Sequence, residues 1–585
     1  MLAARLPILL GLLLAACAPA AAGPKDDALL DAMRARARVT WNEVPRKVLA
    51  FYYGWYATPE VSGRWSHWSP HGERDLREST NYPALGAYDS HDPEVVDQHC
   101  RWAVEAGLDG LIASWWAPGD FHDRGMPLLL DRAQEHGLSV TAYFEVVPAR
   151  TVEQATGWVL DLLRRYGEHP AWLRAGGRPV LFVYGRALHQ LGLDGWTSVI
   201  TAVNRRLEVG AVFLGDEISP RAARVFDGVH TYNVTGSTAG MSAPELRAWA
   251  RTSYGELNRI APRRITCATV IPGYDDTELD RELPRPVTAR HGGETYRVLW
   301  EEAIAADPDW ILVTSFNEWH EGSEIEPSLE HGDRELKATA AFAARFRALP
   351  PRARPAGRAD PAHAERLARL RERYRGRPVA VFPEGDSAGL WWLLEADVPA
   401  VGLGWDEVVD PAVLTPARYP ALLYACGEEY RATVNEEDDV LRSLQRYVES
   451  GGTLVALSSG PMPFYYCRGV GAAEHWWKLG FPLRVRDFPA DPGLELAVAR
   501  RDALPHVPAS SPLPAEDRWR PLVDGLGVEV ESWIRLRGAD GALDESAAGR
   551  VRRGEGSLVY AWFGLAELDL ADALYFDLWM EVGRD

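Results

Sequence analysis

Short apolar runs alternate with amphipathic helical segments from Lys47 onward for about 300 residues, a length typical of one large α/β domain. These runs predict buried strands, because they hold few charges and are rich in apolar and aromatic residues. Eight strands are predicted, at residues 48–53, 108–115, 138–146, 179–184, 211–215, 228–232, 265–271 and 310–314. Helices are predicted between and after them, at residues 94–106, 127–135, 152–166, 243–259, 296–305 and 334–349.

This alternation belongs to the α/β class and favours a parallel sheet closed into a (β/α)8 TIM barrel over residues 45–349. A doubly wound open sheet is the alternative. It rarely needs eight strands of such regularity, and no GxGxxG sequence follows the first strand. If the barrel forms, the functional site lies at the carboxyl ends of its strands.

The residues at those strand ends are mostly aromatic or acidic: Tyr52, Tyr53, Trp55, Tyr56, Trp115, Trp116, Glu145, Tyr184, Asp216, Glu217, Tyr232, Asn233, Tyr274, Glu318 and Glu321. Aromatic rings stack on the flat faces of sugars, and carboxylates bind hydroxyl groups or transfer protons. The chain also holds 23 Trp and 21 Tyr, which adds to the case for a carbohydrate ligand. The glycine-rich turns with Lys or Arg that bind phosphate are missing.

The densest functional signal lies at residues 314–326, directly after the last predicted strand. Five potentially ionisable side chains fall within nine positions, among aromatic and apolar neighbours: Glu318, His320, Glu321, Glu324 and Glu326. Carboxylates held together against aromatic rings raise one another's pKa values, which is costly unless it serves chemistry. The alternative is an acidic, solvated loop. A single His320–Glu324 pair at i, i+4 is weak evidence for a metal, and neither a metal nor a cofactor is predicted.

The formal net charge of −20, without a basic cluster outside the linker, argues against a nucleic-acid partner, so a glycan is the predicted partner. Arg5 precedes an apolar stretch at residues 6–14, and Leu-Ala-Ala-Cys follows at residues 14–17. This resembles a bacterial lipoprotein signal with lipid on Cys17 and a tether to about residue 29. The predicted location is then the cell envelope, with membrane attachment through lipid only. A secreted chain whose signal ends near Ala22 is the alternative.

Six segments along the barrel resemble glycoside hydrolase family 99, the endo-α-1,2-mannosidase and mannanase family: FYYGWY at 51–56, YPALGAY at 82–88, SWW at 114–116, FDGVHTY at 226–232, PGYDDT at 272–277 and SFNEWHEG at 315–322. The resemblance implies a retaining, endo-acting hydrolysis of α-linked, mannose-containing glycans. It makes Glu318 the base for the sugar 2-hydroxyl and Glu321 the general acid/base, with a 1,2-anhydro sugar as intermediate.

A substrate-binding set accompanies these two acids: Tyr52, Tyr53, Trp55, Trp115, Trp116, Glu145, Tyr232, Tyr274, Asn317 and His320. The resemblance places Glu145 and Tyr232 in the sugar subsite. The family usually has Thr-Gln after its acidic motif, whereas Ser323 and Glu324 stand there in this chain. Two other functions therefore stay open: hydrolysis of another α-linked polysaccharide, and glycan binding without catalysis by a surface lipoprotein.

The C-terminal half begins with a linker and charged helix at residues 350–376, and a smaller α/β accessory domain with a C-terminal β portion is predicted at 377–585. Strands are predicted at 378–382, 421–425, 453–457, 527–536 and 557–563, and helices at 389–396 and 434–450. Residues 441–457 resemble amidotransferase-like or flavodoxin-like accessory domains. Because no cysteine follows that strand and Cys426 has no evident His partner, amidotransfer is not predicted.

Overall fold

The computed structural model describes residues 27–582 except 40, 42, 71–75, 78, 280–283, 355–359, 383–386, 426–428, 431–433, 437–438, 458–465, 468–483, 486–493, 513–521, 524–528, 539–543, 563, 566–567 and 569. The predicted signal with Cys17 lies outside these residues, and so does Cys426. Within the described part of the chain, no helix has the length and apolar character needed to cross a membrane.

Eight parallel strands close into a barrel, as the sequence predicts: β1 (Lys47–Tyr52), β2 (Gly110–Trp115), β3 (Ser139–Phe144), β4 (Arg178–Val183), β5 (Val212–Asp216), β6 (Gly228–His230), β7 (Ile265–Val270) and β8 (Trp310–Val313). Each strand pairs with the next in the chain. Lys47 of β1 lies opposite Trp310 of β8, which closes the ring. The open-sheet alternative is therefore wrong.

Alternate residues of each strand face the barrel interior, since successive side chains of a strand point to opposite faces. Phe51 of β1 contacts the rings of Tyr143 and Phe182, on β3 and β4, at centroid distances of 4.8 and 6.5 Å. Tyr52 points the other way, into the layer between the strands and the helices. This alternation decides which strand-end residues reach the functional face.

Helices surround the barrel: α1 (Asp27–Ala37), α2 (Pro93–Glu105), α3 (Phe121–Glu135), α4 (Val152–Tyr166), α5 (Gly185–Asn204), α6 (Pro220–Val225), α7 (Ala243–Gly255), α8 (Glu294–Ala305) and α9 (Arg334–Arg347). Most start and end within two residues of the sequence prediction. Helix α3 begins six residues earlier than predicted, because the Asp123 N–H donates to the Asp120 carboxylate at 2.8 Å and caps the helix there.

Helices α1, α5 and α6 are absent from the sequence prediction. Helix α1 follows the predicted tether and packs between α5 of the barrel and a helix of the second domain. Its Arg36 donates to the Val225 carbonyl oxygen at 2.8 Å and pairs with Asp227 at 3.1 Å. The chain is thus packed onto the barrel from Asp27 onward, where the sequence alone suggests flexibility up to residue 29.

A second domain contains a mixed sheet and the helices α10 (Pro361–Arg373), α11 (Ala388–Glu395), α12 (Asp439–Glu449) and α13 (Ala571–Glu581). Its main strands are β9 (Val379–Val381), β10 (Ala400–Gly402), β11 (Ala421–Tyr424), β12 (Thr453–Ala456), β13 (Glu495–Val498), β14 (Ser510–Pro512), β15 (Val530–Arg537), β16 (Asp544–Arg553) and β17 (Gly556–Ala561). Strands β10, β9, β11, β12 and β17 are parallel, and β16, β15, β13 and β14 continue the sheet in antiparallel order.

The two domains meet at the end of the barrel opposite the strand carboxyl ends. Arg263, which precedes β7, pairs with Glu395 of α11 at 2.9 Å, and His363 of α10 lies 2.8 Å from the same carboxylate. These contacts leave the carboxyl ends of the barrel strands open to solvent.

Candidate active site

A cavity of about 590 Å³ opens at the carboxyl ends of the barrel strands. Most of its lining is aromatic or ionisable: Tyr53, Trp55, His67, Trp116, Asp120, His122, Tyr143, Glu145, Tyr184, Arg186, Tyr232, Leu279, Glu318, His320 and Glu321. A cavity of this size holds a small ligand, and its rings provide flat stacking surfaces.

Glu318 and Glu321 reach the cavity through a tight turn that follows β8. The Glu318 N–H donates to the Ser315 hydroxyl at 2.7 Å, and the Glu318 carboxylate accepts from the His320 N–H at 3.2 Å. Gly322 ends the turn with φ +56°, and a Cβ there would lie 3.0 Å from the side chain of Thr80. Glycine at this position therefore lets the turn direct both carboxylates to the same cavity.

Glu321 accepts hydrogen bonds from two tyrosines on other strand ends. The Tyr232 hydroxyl donates to Oε2 at 2.6 Å, and the Tyr274 hydroxyl shares its proton between Oε1 at 3.3 Å and Oδ2 of Asp276 at 3.2 Å. Glu321 is partly exposed to the cavity, whereas Glu318 is buried. The two acids thus have different surroundings, which is how a pair of carboxyl groups holds different protonation states at one pH.

Glu145 lies in the cavity at the end of β3, with only 4% of its surface exposed. Burial raises the pKa of its carboxyl to about 8, although the Ser114 hydroxyl donates to it at 2.8 Å. The Trp116 indole N–H donates to the same hydroxyl oxygen at 3.0 Å. Glu145 is therefore protonated near neutral pH and can both donate to and accept from a sugar hydroxyl.

An aromatic wall formed by Trp55 and its neighbours borders Glu318. The rings of Trp55 and His67 stack with centroids 4.4 Å apart, and His320 lies 5.7 Å from His67. Burial, and then the neighbouring His320, lower the pKa of His67 to about 4. His67 is thus a neutral, flat surface at physiological pH.

The sequence was compared with models of known families, and residues 44–338 match the model described as glycosyl hydrolase family 99. The chain belongs to this family. It is therefore a glycoside hydrolase, and the cavity with Glu318 and Glu321 is its candidate active site.

Two mammalian relatives match the family 99 part of the chain. A glycoprotein endo-α-1,2-mannosidase of Rattus norvegicus is 29% identical over 322 residues, which cover 48% of this chain and 68% of the relative. A glycoprotein endo-α-1,2-mannosidase-like protein of Homo sapiens is 27% identical over 322 residues, with coverage of 48% and 68%.

Among solved structures, the GH99 endo-α-mannosidase from Bacteroides thetaiotaomicron in complex with Bis-Tris-propane is 27% identical, with a TM-score of 0.46. The similarity covers 52% of this chain and 97% of that one. The second domain lies outside the residues that match the family 99 model.

The structure brings most of the predicted site residues to the family 99 cavity: Tyr53, Trp55, Trp116, Glu145, Tyr232, His320, Glu318 and Glu321 line it, and Tyr274 borders it through its bond to Glu321. Asn317 is fully buried beneath the cavity. Its Oδ1 accepts from the Tyr53 N–H at 2.8 Å and its Nδ2 donates to the Tyr53 carbonyl at 3.0 Å. Asn317 therefore supports Tyr53 rather than lining the cavity.

Tyr52 and Trp115 do not line the cavity, so the prediction that they bind substrate is wrong. Both side chains are buried on the outer face of the barrel. The Tyr52 hydroxyl lies 3.1 Å from Nδ1 of His99, and the Trp115 indole donates to the Asp123 carboxylate at 2.9 Å. Each is the last residue of its strand and points outward, whereas the following residue reaches the cavity.

The acids later in the motif do not reach the cavity. Glu324 accepts from Arg290 at 2.7 Å, and burial, against the effect of Arg290, raises its pKa to about 7. Glu326 accepts from the Tyr88 hydroxyl at 2.9 Å and lies 3.3 Å from His99. The dense acidic run therefore divides into two acids that line the cavity, Glu318 and Glu321, and two buried acids that bond to other protein groups, Glu324 and Glu326.

Several residues that line the cavity are absent from the catalytic and substrate-binding sets that the sequence predicts: His67, Asp120, His122, Tyr143, Tyr184, Arg186 and Leu279. Strand alternation could have identified Tyr143, since it lies two residues before Glu145 on the same face. Tyr143 donates to Asp216 at 3.0 Å, and Asp216 also accepts from the Tyr232 N–H at 2.9 Å. Asp216 thereby links two cavity tyrosines from beneath.

Proposed function

We propose that this chain is a retaining, endo-acting glycosidase that cleaves α-linked, mannose-containing glycans through a 1,2-anhydro sugar. The observation that carries this proposal is the convergence of Glu318, Glu321 and Tyr232 in one cavity. The relatives named as endo-α-1,2-mannosidases support the choice of mannose. The endo mode fits a cavity that opens at the barrel face, where the long connection from β1 to α2 contributes His67.

In the proposed first step, Glu318 removes the proton of the sugar 2-hydroxyl while that oxygen attacks C1. Glu321 donates its proton to the glycosidic oxygen, so the leaving sugar departs neutral. The new O2–C1 bond replaces the broken glycosidic bond, and no enzyme side chain is bonded to sugar. The usual relation between carboxylate separation and stereochemistry therefore does not apply.

In the second step, Glu321 acts as a base and takes a proton from water as the water attacks C1. The O2–C1 bond breaks, and Glu318 returns its proton to O2. Two inversions at C1 give net retention. Tyr232 and Tyr274 hold the Glu321 carboxylate in one orientation, which supports both of its roles.

The test is a digest of α-mannan and of Glc/Man-α-1,3-Man-α-1,2-Man oligosaccharides by wild type, Glu318→Gln and Glu321→Gln. The exposed Glu153→Gln on α4 is the matched control. Release of a disaccharide by wild type and the control, with a loss of at least about 10²-fold in each active-site variant, is the expected result. Release of an oligosaccharide from another α-glycan, but not from mannan, would show that the substrate is not a mannose-containing glycan.

We further propose that Cys17 is lipidated and anchors the enzyme to the cell envelope. The sequence Leu-Ala-Ala-Cys after an apolar stretch supports this. Incorporation of labelled fatty acid by wild type but not by Cys17→Ala is expected when the full chain is expressed in a bacterium. Equal labelling of both chains, or of neither, would contradict the anchor.

A further inference from the structure

Arg186 places a guanidinium in the cavity at the amino end of α5, two residues after Tyr184. The guanidinium carbon lies 5.2 Å from the centroid of the Trp116 ring and 5.5 Å from that of the Tyr184 ring. Two rings thus hold the planar group in place, and arginine stacks well on such faces. Arg186 is the sole Arg or Lys among the described residues that line the cavity.

Arg186 is exposed to solvent at the edge of the cavity, and its hydrogen-bond donors have no protein acceptor among the described residues. Across the described residues, the Arg186 guanidinium makes neither a hydrogen bond nor an ion pair. The cavity's other charged or acidic groups are engaged: Asp120 caps α3, Glu145 accepts from Ser114, and Glu321 accepts from Tyr232. Arg186 is therefore the one cavity side chain whose charge and donor set are left for a ligand.

Glu145 does not neutralise Arg186 near neutral pH. The positive charge of Arg186 lowers the pKa of Glu145, but burial outweighs this effect and holds that pKa at about 8. The carboxyl therefore keeps its proton below that pH. The Arg186 guanidinium stacks on two rings, and the structure shows no protein acceptor for its donors among the described residues. It prefers an anionic acceptor over a neutral hydroxyl, because an anion adds Coulomb attraction to the hydrogen bond and can accept from two N–H groups at once.

The position of Arg186 fixes which part of the glycan it meets. It follows β4, and β4 stands four strands from β8 in a ring of eight, so Arg186 lies across the barrel mouth from Glu318 and Glu321. A group bound by Arg186 therefore belongs to a sugar that rests against Trp116, away from the bond that the two acids cleave. An anion there does not need to sit beside the active-site carboxylates.

We propose that Arg186, with Trp116 and Tyr184, binds an anionic substituent of the glycan, so that the preferred substrate is an acidic rather than a neutral glycan. The substituent is a sulfate ester, a phosphate or a uronic carboxylate, all of which match the planar donor fork of arginine. This inference rests on the proposed function, which gives a mannose-containing glycan as the substrate. It adds that this glycan carries an acidic substituent.

The kinetic test compares one oligosaccharide in neutral and 6-sulfated forms, at low salt. Wild type is expected to show a kcat/KM at least about 10-fold higher on the sulfated form. Arg186→Gln is expected to bring the ratio of the two kcat/KM values close to one. Arg164→Gln, which changes the same charge on the exposed surface of α4, keeps the wild-type ratio. A wild-type ratio of one or less excludes a 6-sulfate as the substituent, and a ratio above one that Arg186→Gln leaves unchanged overturns the proposal.

A binding test separates this inference from the proposed function. Calorimetry on the uncleaved ligands mannose, mannose 6-sulfate, mannose 6-phosphate and mannuronic acid needs no hydrolysis. At least one acidic sugar is expected to bind at least about 10-fold more tightly than mannose, with the gap lost in Arg186→Gln and reduced by 0.5 M salt. The identity of the tightest ligand selects the anion. Equal binding of all four sugars by wild type overturns the proposal, whereas tight acidic binding without cleavage of either the neutral or the sulfated oligosaccharide would reject only the proposed function.

Discussion

The Tyr232 hydroxyl donates a 2.6 Å hydrogen bond to Oε2 of Glu321, although 89 residues separate the two in the chain. The barrel makes this possible, because β6 and β8 end at the same face. The bond fixes the carboxylate next to the position of the glycosidic oxygen in the proposed mechanism. It links the fold directly to the chemistry.

Removing this donor tests the link. We expect Tyr232→Phe to lower kcat/KM by about 10- to 100-fold, because the carboxylate loses a short hydrogen bond in a partly buried site. Tyr254→Phe is the control, since its hydroxyl also donates at 2.6 Å, to the Thr269 carbonyl, but outside the cavity. A similar loss of activity in both variants, measured at equal folded fraction, would contradict a specific role for Tyr232.

The two adjacent tryptophans at the end of β2 should differ in what they contribute. Trp115→Phe loses a buried bond to Asp123, so we expect it to lower the free energy of unfolding by about 1–3 kcal/mol while the folded enzyme keeps its kcat/KM. Trp116→Phe should lower kcat/KM at least about 5-fold with little loss of stability, because a cavity surface is changed. Denaturant unfolding and initial rates, measured on both variants, check the contrast. A loss of activity in Trp115→Phe together with a loss of stability in Trp116→Phe would contradict the side-chain directions described for the end of β2.

Asn317 should act on the site through the backbone of Tyr53. Its amide satisfies both the N–H and the carbonyl of that residue. We expect Asn317→Ala to lower the free energy of unfolding by about 2–4 kcal/mol, since buried polar groups are left unpaired. Asn317→Asp keeps the acceptor for the Tyr53 N–H but has no donor for the Tyr53 carbonyl, so it should be destabilised as well. An alanine variant as stable as wild type by chemical unfolding would be the contrary result.

Glu145 should make stability depend on pH. The folded chain keeps its proton up to about pH 8, whereas an ordinary glutamate loses it near pH 4.5. Between these values the folded state binds more protons than the unfolded state, so the free energy of unfolding falls as pH rises. We expect Glu145→Gln to become progressively more stable than wild type across this range. Thermal unfolding at a series of pH values, with Glu153→Gln as control, checks this, and a constant difference would contradict it.

The barrel could be predicted closely from the sequence, because each of its eight strands is a short apolar run bounded by polar residues. The direction of individual strand-end residues could not. Residues 51–53, Phe-Tyr-Tyr, place aromatic side chains on both faces of the strand. The sequence pattern therefore does not show which tyrosine faces the cavity, whereas the structure shows that β1 ends at Tyr52 and that Tyr53 faces it. Trp115 and Trp116 present the same ambiguity.

Other features depend on tertiary contacts that leave no local pattern. Arg186 is a single charge at the start of a helix, and its role emerges only because Trp116 approaches from another strand end. The position of helix α1 depends on tertiary packing, because its apolar side, including Leu30 and Met33, is buried between the two domains. The sequence of α1 is short and directly follows the predicted signal. It does not predict which surfaces the helix packs against.

In the proposed mechanism the sugar's own 2-hydroxyl, activated by Glu318, displaces the leaving group. The most direct measurement compares hydrolysis of a matched pair of mannosides, one of which has hydrogen in place of the 2-hydroxyl. Wild type is expected to cleave the complete sugar with retained configuration, and to bind the 2-deoxy sugar as an inhibitor without cleaving it. Cleavage of the 2-deoxy sugar at a comparable rate would contradict the account, because an enzymic nucleophile or a directly attacking water would then carry the reaction.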